Sequence, residues 1–317
     1  MTNYVIAEIG SNFDQNKKKL FKMIDIAKVC GADAIKLQLF KANKLYPNDT
    51  KMRKLFKSIE LNPSWLKDIN KYCKKKKIDF LTSVFDLESA KLANKYVEMH
   101  KVASSEATNL PLLKYLIKTK KKILFSTGMC DLKDVTNFLN LAKKLKNNQI
   151  VLMQCGSMYP LPDKFVNLNV LNLYKKFKFE IGFSDHTLGY EAAMCASAIG
   201  SKYFEKHFTL NKKSRGPDHF FAAEPRELKK YILKINKAKK LLGSKIKEML
   251  PDEKKYARRE GIYYKKNLKK NTKLEKKHLI FKRPALGVRS RDMDNIIGKK
   301  ILKDVKQFNP VFIEEIK

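Results

Sequence analysis

The feature that most constrains this chain is a rhythm of eight short apolar runs, each separated from the next by a longer stretch with helical spacing. In order the runs are YVIAEI, AIKLQLF, DFLTSV, EMHKVAS, KILFST, IVLMQC, FEIGFS and KYFEKH. Between them, residues 17–30, 63–77, 109–120 and 132–146 repeat apolar side chains every three or four positions, and residues 224–242 do so after the last run. Alternating strands and helices make a parallel sheet. Eight repeats with no glycine-rich dinucleotide fingerprint predict an α/β fold of the closed (β/α)8 TIM-barrel type rather than an open doubly wound sheet.

In such a barrel the chemistry gathers at the carboxyl ends of the strands, and here those ends are loaded with polar residues: Glu8, Lys36, Gln38, Ser83, Lys101, Ser104, Glu106, Ser126, Ser157, Ser184 and Glu205. A strand that buried Lys36 or Lys101 without a partner would lose several kcal/mol, so these ends are expected to form a site. The densest stretch is 181–219, which holds three of the five histidines. His186 and His207 each follow a predicted strand, with an apolar helical segment, 190–199, between them. A parallel strand-helix-strand unit sets the two imidazoles side by side at neighbouring strand ends. One metal ion shared by both is one reading. Two structural histidines is the other, since no HExxH or CxxC spacing is present.

The formal charge of +36, from 68 Lys and Arg against 32 Asp and Glu, invites a nucleic-acid reading, but the lysines are spread over nearly every predicted helix. No basic arm or aromatic platform accompanies them, so no nucleic-acid partner is expected, although anionic substrates would be drawn to such a surface. No run approaches the roughly 20 apolar residues needed to span a bilayer. The amino terminus enters a strand pattern at once instead of a signal peptide. Five scattered cysteines fit reduced thiols; a cytoplasmic protein is expected, and none of the five is singled out as a nucleophile.

The pattern breaks near Pro251. A catalytic domain over 1–250, a linker over 251–257 and a small β-rich domain over 258–317 are expected, the last with GIYYK, HLIFKRP and VFIEEI as β segments and MDNIIGKKI as a helix. Roughly sixty residues lie near the lower limit for autonomous folding, so this domain is expected to lean on a partner. Within it FKRPALGVRS has the composition of a rigid basic loop.

With these residues assembled, the chain resembles the sialic acid synthase family, enzymes that condense phosphoenolpyruvate with an N-acetylated sugar. The likeness rests on IAEIGSN, GADAIKLQLF, KVASSEATNLPLL, STGM, YPLP followed by VNL, GFSDHTLG, the segment from EKHFTL to GPDH, and KRPALGV, in that order along almost the whole chain. The resemblance implies a (β/α)8 barrel followed by a SAF, or antifreeze-like, domain that covers the active site of the other subunit in a domain-swapped homodimer. It implies that His186 and His207 bind a divalent metal, usually manganese, with magnesium or cobalt as alternatives. Phosphoenolpyruvate would be held by Lys36, Ser83, Lys101, Ser104, Ser126 and Ser184, with Ser157 in the same group. The sugar, N-acetylmannosamine or a 2,4-diacetamido-6-deoxy analogue, would meet Gln38, Glu106, Tyr159 and Asp218, and Arg283 from the other subunit. Glu8 and Glu106 join the histidines as the implied catalytic groups.

The chemistry so implied is attack by carbon 3 of phosphoenolpyruvate on the sugar aldehyde, addition of water at carbon 2, and loss of phosphate by carbon-oxygen cleavage to give a nine-carbon α-keto acid. The chain departs from the family pattern where Phe13 and Asp14 follow Asn12 in place of a His-x-Gly continuation, and in 41–59, which is short for a sugar-binding loop. The second domain also lacks the usual glycine, reading KKNTKLEKKHL. The competing expectation is a catalytically inactive relative acting as a carbohydrate-binding or scaffold protein.

Overall fold

The computed structural model describes residues 3–256 and 258–317. Strands β1 (Tyr4–Gly10), β2 (Ala34–Leu39), β3 (Asp79–Val84), β4 (Met99–Val102), β5 (Lys122–Ser126), β6 (Ile150–Cys155), β7 (Glu180–Asp185) and β8 (Tyr203–His207) pair in parallel in chain order. They close into a single barrel. The expected barrel is therefore present. Each run predicted from the sequence contains one of these strands to within a residue or two at either end.

Side chains alternate between the two faces of a strand, and that period explains the layering inside the barrel. Ile6, Ala34, Leu81, Leu124, Val151 and Met153 form a buried apolar cluster. Two positions further along the same strands stand Glu8, Lys36, Ser83, Ser126 and Cys155, all buried. The lumen is thus oily at one level and polar at the next. Val5, Ala7, Ile35, Leu37, Phe125, Leu152, Phe183 and Phe204 occupy the alternate positions and belong to the main core, shared with the surrounding helices. Gly182 has no side chain because a Cβ there would lie 2.8 Å from the Tyr203 carbonyl oxygen.

The helices follow the same logic. Lys17–Cys30 buries Leu20, Met23, Ile24, Ala27 and Cys30, and its first turn is capped by the Asn16 side chain, which accepts from the Lys19 amide. Pro225–Leu241 starts with proline at its first turn and buries Leu228, Tyr231, Ile232, Ile235 and Ala238. The stretch 41–59 holds two short helices, Ala42–Leu45 and Thr50–Ser58, the second with no buried residue. Among the described residues no helix is long and apolar enough to cross a membrane.

One outward-facing group gives a pH prediction. His100 on β4 is fully buried, and burial, then the charge of Lys121, lowers its pKa from the usual 6.5 to about 4. Its Nε2 meets Asn94 Oδ1 at 3.0 Å. The unfolded chain therefore binds a proton near pH 6.5 that the folded chain refuses until about pH 4. Stability is expected to fall across that window by on the order of 3 kcal/mol, at about 1.4 kcal/mol per pH unit. Urea unfolding of wild type and His100→Gln at pH 7 and pH 4 checks it, since the variant should lose this part of the acid sensitivity.

The chain divides into two compact units at Gly243 and Ser244, ahead of the expected linker at 251–257, where a short helix, Pro251–Tyr256, stands instead. The second unit has its own core of Ile262, Tyr264, Leu274, Ile296, Ile301 and Val311. In it β9 (Gly261–Tyr264) and β10 (Leu279–Lys282) pair antiparallel. Two expectations fail here. VFIEEI is no strand but carries a 3-10 turn, Ile313–Glu315, and touches its neighbours through isolated bridges such as Ile301 with Ile316. MDNIIGKKI is no helix: only the 3-10 segment Ser290–Asn295 reaches into it. The amides of Gly298 and Lys300 donate across the unit to Leu274 and Lys317 instead of to a preceding turn.

Candidate active site

Strand register brings the polar strand ends into one ring. Glu8 stands opposite Lys36 on one side and His207 on the other, Ser83 opposite Gln38 and Lys101, and Ser184 opposite Cys155 and Glu205. Lys36 Nζ donates to Ser83 Oγ at 2.9 Å and pairs with Glu8 Oε2 at 2.8 Å and Glu205 Oε1 at 3.7 Å. Lys101 Nζ donates to Ser126 Oγ at 2.7 Å and lies 3.9 Å from Glu205 Oε1. Ser184 Oγ donates to the same Glu205 oxygen at 3.1 Å, and Gln38 Nε2 to Glu8 Oε1 at 3.0 Å.

Two buried ammonium groups thus face two buried carboxylates. The electrostatics are unequal. Burial works against the charge on Lys36, but Glu205 and Glu8 outweigh it and hold its pKa above the usual lysine value. Burial dominates at Lys101 and lowers its pKa, with Glu205 opposing. For the carboxylates, burial pushes Glu8 up to about 7 against the pull of Lys36. Glu205 is held below the usual range because Lys101 and Lys36 together overcome its burial. A carboxyl poised near 7 can exchange a proton at neutral pH.

His186 and His207 lie beside this ring with centroids 5.5 Å apart. His186 Nδ1 donates to the Gly156 carbonyl at 2.6 Å, which fixes the ring and leaves Nε2 with the lone pair. His207 is buried, and burial, then the charges of His186 and Lys36, hold it well below the ordinary imidazole range. Its Nδ1 has no hydrogen-bond partner. Asp218 Oδ2 is 3.9 Å from that atom. Two oriented imidazoles, one with an orphaned buried nitrogen, suit a divalent ion that keeps other positions for water or substrate. Among the described residues no group of three or more His, Cys, Asp or Glu side chains forms a metal cluster.

Of the remaining expected residues, Tyr159, Gln38 and Asp218 adjoin these groups. The Tyr159 ring lies tilted against His186, with centroids 4.2 Å apart, and edge-on to His207 at 5.7 Å, after which the chain turns through a cis bond to Pro160. Ser104 and Ser157 converge on Gly128, where a Cβ would lie 2.8 and 2.5 Å from their hydroxyl oxygens. Gly10, at φ +54, does the same for Asp218, Gln38 and Glu8: a Cβ there would meet Asp218 Oδ2 at 3.0 Å. Glu106 ends the 3-10 turn begun by Ser104, and its carboxylate accepts from Asn109 at 2.8 Å. Arg283 belongs to the second unit, directly before a cis proline.

A model of the NeuB family matches residues 23–247. The chain belongs to the NeuB family. Within that family it is 36% identical to the N,N'-diacetyllegionaminic acid synthase of Campylobacter jejuni, over 96% of this chain and 97% of the relative. It is 30% identical to the enzyme of the same name from Legionella pneumophila, over 100% and 95%. Among solved structures, the N-acetylneuraminic acid synthetase of Leptospira borgpetersenii superposes with a TM-score of 0.76 at 28% identity, covering 80% of this chain and 90% of that one. As a NeuB-family member the chain is read as a synthase, and its site holds two groups that the residue reading did not assign. Cys155 faces His186, with Sγ 3.7 Å from Nδ1; alternation from Met153 would have found it. The sequence marks Glu205 only as a polar strand end, yet it is the carboxylate that both lysines share.

Proposed function

We infer that the protein is a nonulosonic acid synthase that condenses phosphoenolpyruvate with an open-chain N-acetylated amino sugar, releasing phosphate and a nine-carbon α-keto acid. The observation that carries this reading is the buried ring of Lys36, Lys101, Glu8 and Glu205 beside the paired imidazoles. Membership of the NeuB family supports it.

Phosphoenolpyruvate carries several negative charges, and Lys36 and Lys101 supply the cations for them while Ser83, Ser126 and Ser184 supply hydroxyl donors. Ser104 and Ser157 extend the same donor set. Fixing the enol in this way presents its carbon 3 to the aldehyde carbon, a gain in orientation. One carbon-carbon bond forms there, and the aldehyde oxygen takes a proton. Water then adds at carbon 2, and the bond from carbon 2 to the phosphate oxygen breaks. Glu8, which can gain or lose a proton near neutrality, is the group we place in these transfers. Gln38, Glu106, Tyr159 and Asp218 would meet the hydroxyl and acetamido groups of the sugar.

His186 and His207 would hold a divalent ion, manganese in our reading, which when bound polarises the aldehyde. A homodimer in which Arg283 reaches the other subunit's site through a SAF-like domain, and a cytoplasmic location, complete the proposal. The likeness to the Campylobacter enzyme puts the 2,4-diacetamido-6-deoxy sugar first among acceptors. Phosphate release from phosphoenolpyruvate with manganese, compared for N-acetylmannosamine, that analogue and its altrose-configured counterpart, is the test. Turnover with one is expected. Silence with all three, in protein shown to bind manganese, would overturn the reading.

A further inference from the structure

The loop after β1 departs from the family pattern, and the structure shows what the departure does. Phe13 is buried in the core, its ring edge-on to Trp65 at 6.3 Å. Asp14 and Gln15 both adopt left-handed backbone, at φ 51 and 55, a conformation that costs a non-glycine residue roughly 1–2 kcal/mol. The shape that a glycine would favour is kept without one. Something must hold it.

Within the loop Asp14 pairs with Lys19, and two further contacts reach the loop after β8. Asn12 Nδ2 donates to the Phe208 carbonyl at 3.0 Å. Asp14 Oδ1 lies 3.0 Å from Nε2 of His219, whose ring is buried, while the other ring nitrogen lies 2.6 Å from Thr209 Oγ1. Both ring nitrogens are therefore engaged, one by each end of this arrangement. Gly216 leaves room for the ring, since a Cβ there would lie 2.9 Å from His219 Cδ2. Thr209 and Ala223 close the base of the loop by a backbone hydrogen bond of 3.0 Å. Asp218, next to His219, is the loop residue that enters the site beside Gln38 and Glu8.

We propose that Asp14 and His219 form a clasp between these two loops that positions Asp218, and with it the subsite for the hydroxyl groups of the acceptor sugar. Asp14 and His219 are positioning residues that touch no substrate. The acceptor assignment rests on the synthase reading above, whereas the clasp itself does not.

The test uses the full-length protein and two variants of Asp14, whose side chain is 41% exposed and so is a mild site for substitution. Asp14→Ala removes the acceptor for His219, and Asp14→Asn keeps an oxygen there. Amide exchange across residues 209–222 is expected to accelerate about tenfold in Asp14→Ala and to stay near wild type in Asp14→Asn, about 1.4 kcal/mol per tenfold. KM for the acceptor is expected to rise about tenfold in Asp14→Ala, with KM for phosphoenolpyruvate within twofold and the asparagine variant rescued. Unchanged exchange in Asp14→Ala, or equal damage in both variants, overturns the clasp. Parallel rises in both KM values overturn the acceptor assignment. If wild type turns over no acceptor while exchange responds as stated, the synthase reading fails and the clasp stands.

Discussion

Replacing His207 by alanine is expected to lower metal-dependent phosphate release by at least about a thousandfold, roughly 4 kcal/mol at 1.36 kcal/mol per decade, while the barrel stays folded. The reasoning is structural. His207 Nδ1 has no hydrogen-bond partner to lose, so the variant removes a donor atom from the site without orphaning a neighbour. His186→Ala should be equally inactive and less stable by about 1 kcal/mol, because the Gly156 carbonyl loses its hydrogen bond as well. Initial rates of phosphate release at saturating manganese, beside melting midpoints, check both. Full activity in either variant would sink the two-histidine assignment.

The second large effect lies behind those histidines. Asp185 and Lys206, each one residue before a site histidine, are buried and pair at 3.1 Å on the outer face of β7 and β8. Asp185 Oδ1 also accepts from the Thr187 amide and hydroxyl at 2.8 and 2.7 Å. Lys206 donates to the Thr187 carbonyl and lies over the Tyr231 ring. Lys206→Met leaves a buried carboxylate without its cation, and breaking such a pair costs about 3–5 kcal/mol. The double variant Asp185→Asn with Lys206→Met is expected to recover most of that loss, since replacing both members of a buried pair is often close to neutral. Urea unfolding of the three proteins gives the answer; a Lys206→Met protein as stable as wild type would show that the pair is dispensable.

The barrel was legible because two periods reinforce one another: two along each strand, and three to four along each helix. The same strand period places Glu8 two residues past Ile6 and Ser126 two past Leu124. Long-range pairings carry no such signal. Asp14 and His219 are 205 positions apart, and only the fold brings their loops together. In the second unit the strands are four residues long, too short for alternation to speak, and the amides of Gly298 and Lys300 find partners far along the chain. There MDNIIGKKI and VFIEEI misled. Cys155 is inconspicuous for another reason: it ends the largely apolar run IVLMQC, and only its direction into the lumen marks it.

The ring of two lysines and two glutamates also bears on how charge is balanced inside the barrel. Glu205 is shared by Lys36 and Lys101, and Glu8 pairs with Lys36, so the chain supplies counter-charges of its own to both buried ammonium groups. On the synthase reading proposed above, entry of an anionic substrate would be an ion exchange within the lumen, in which an incoming oxyanion takes over contacts that a carboxylate holds.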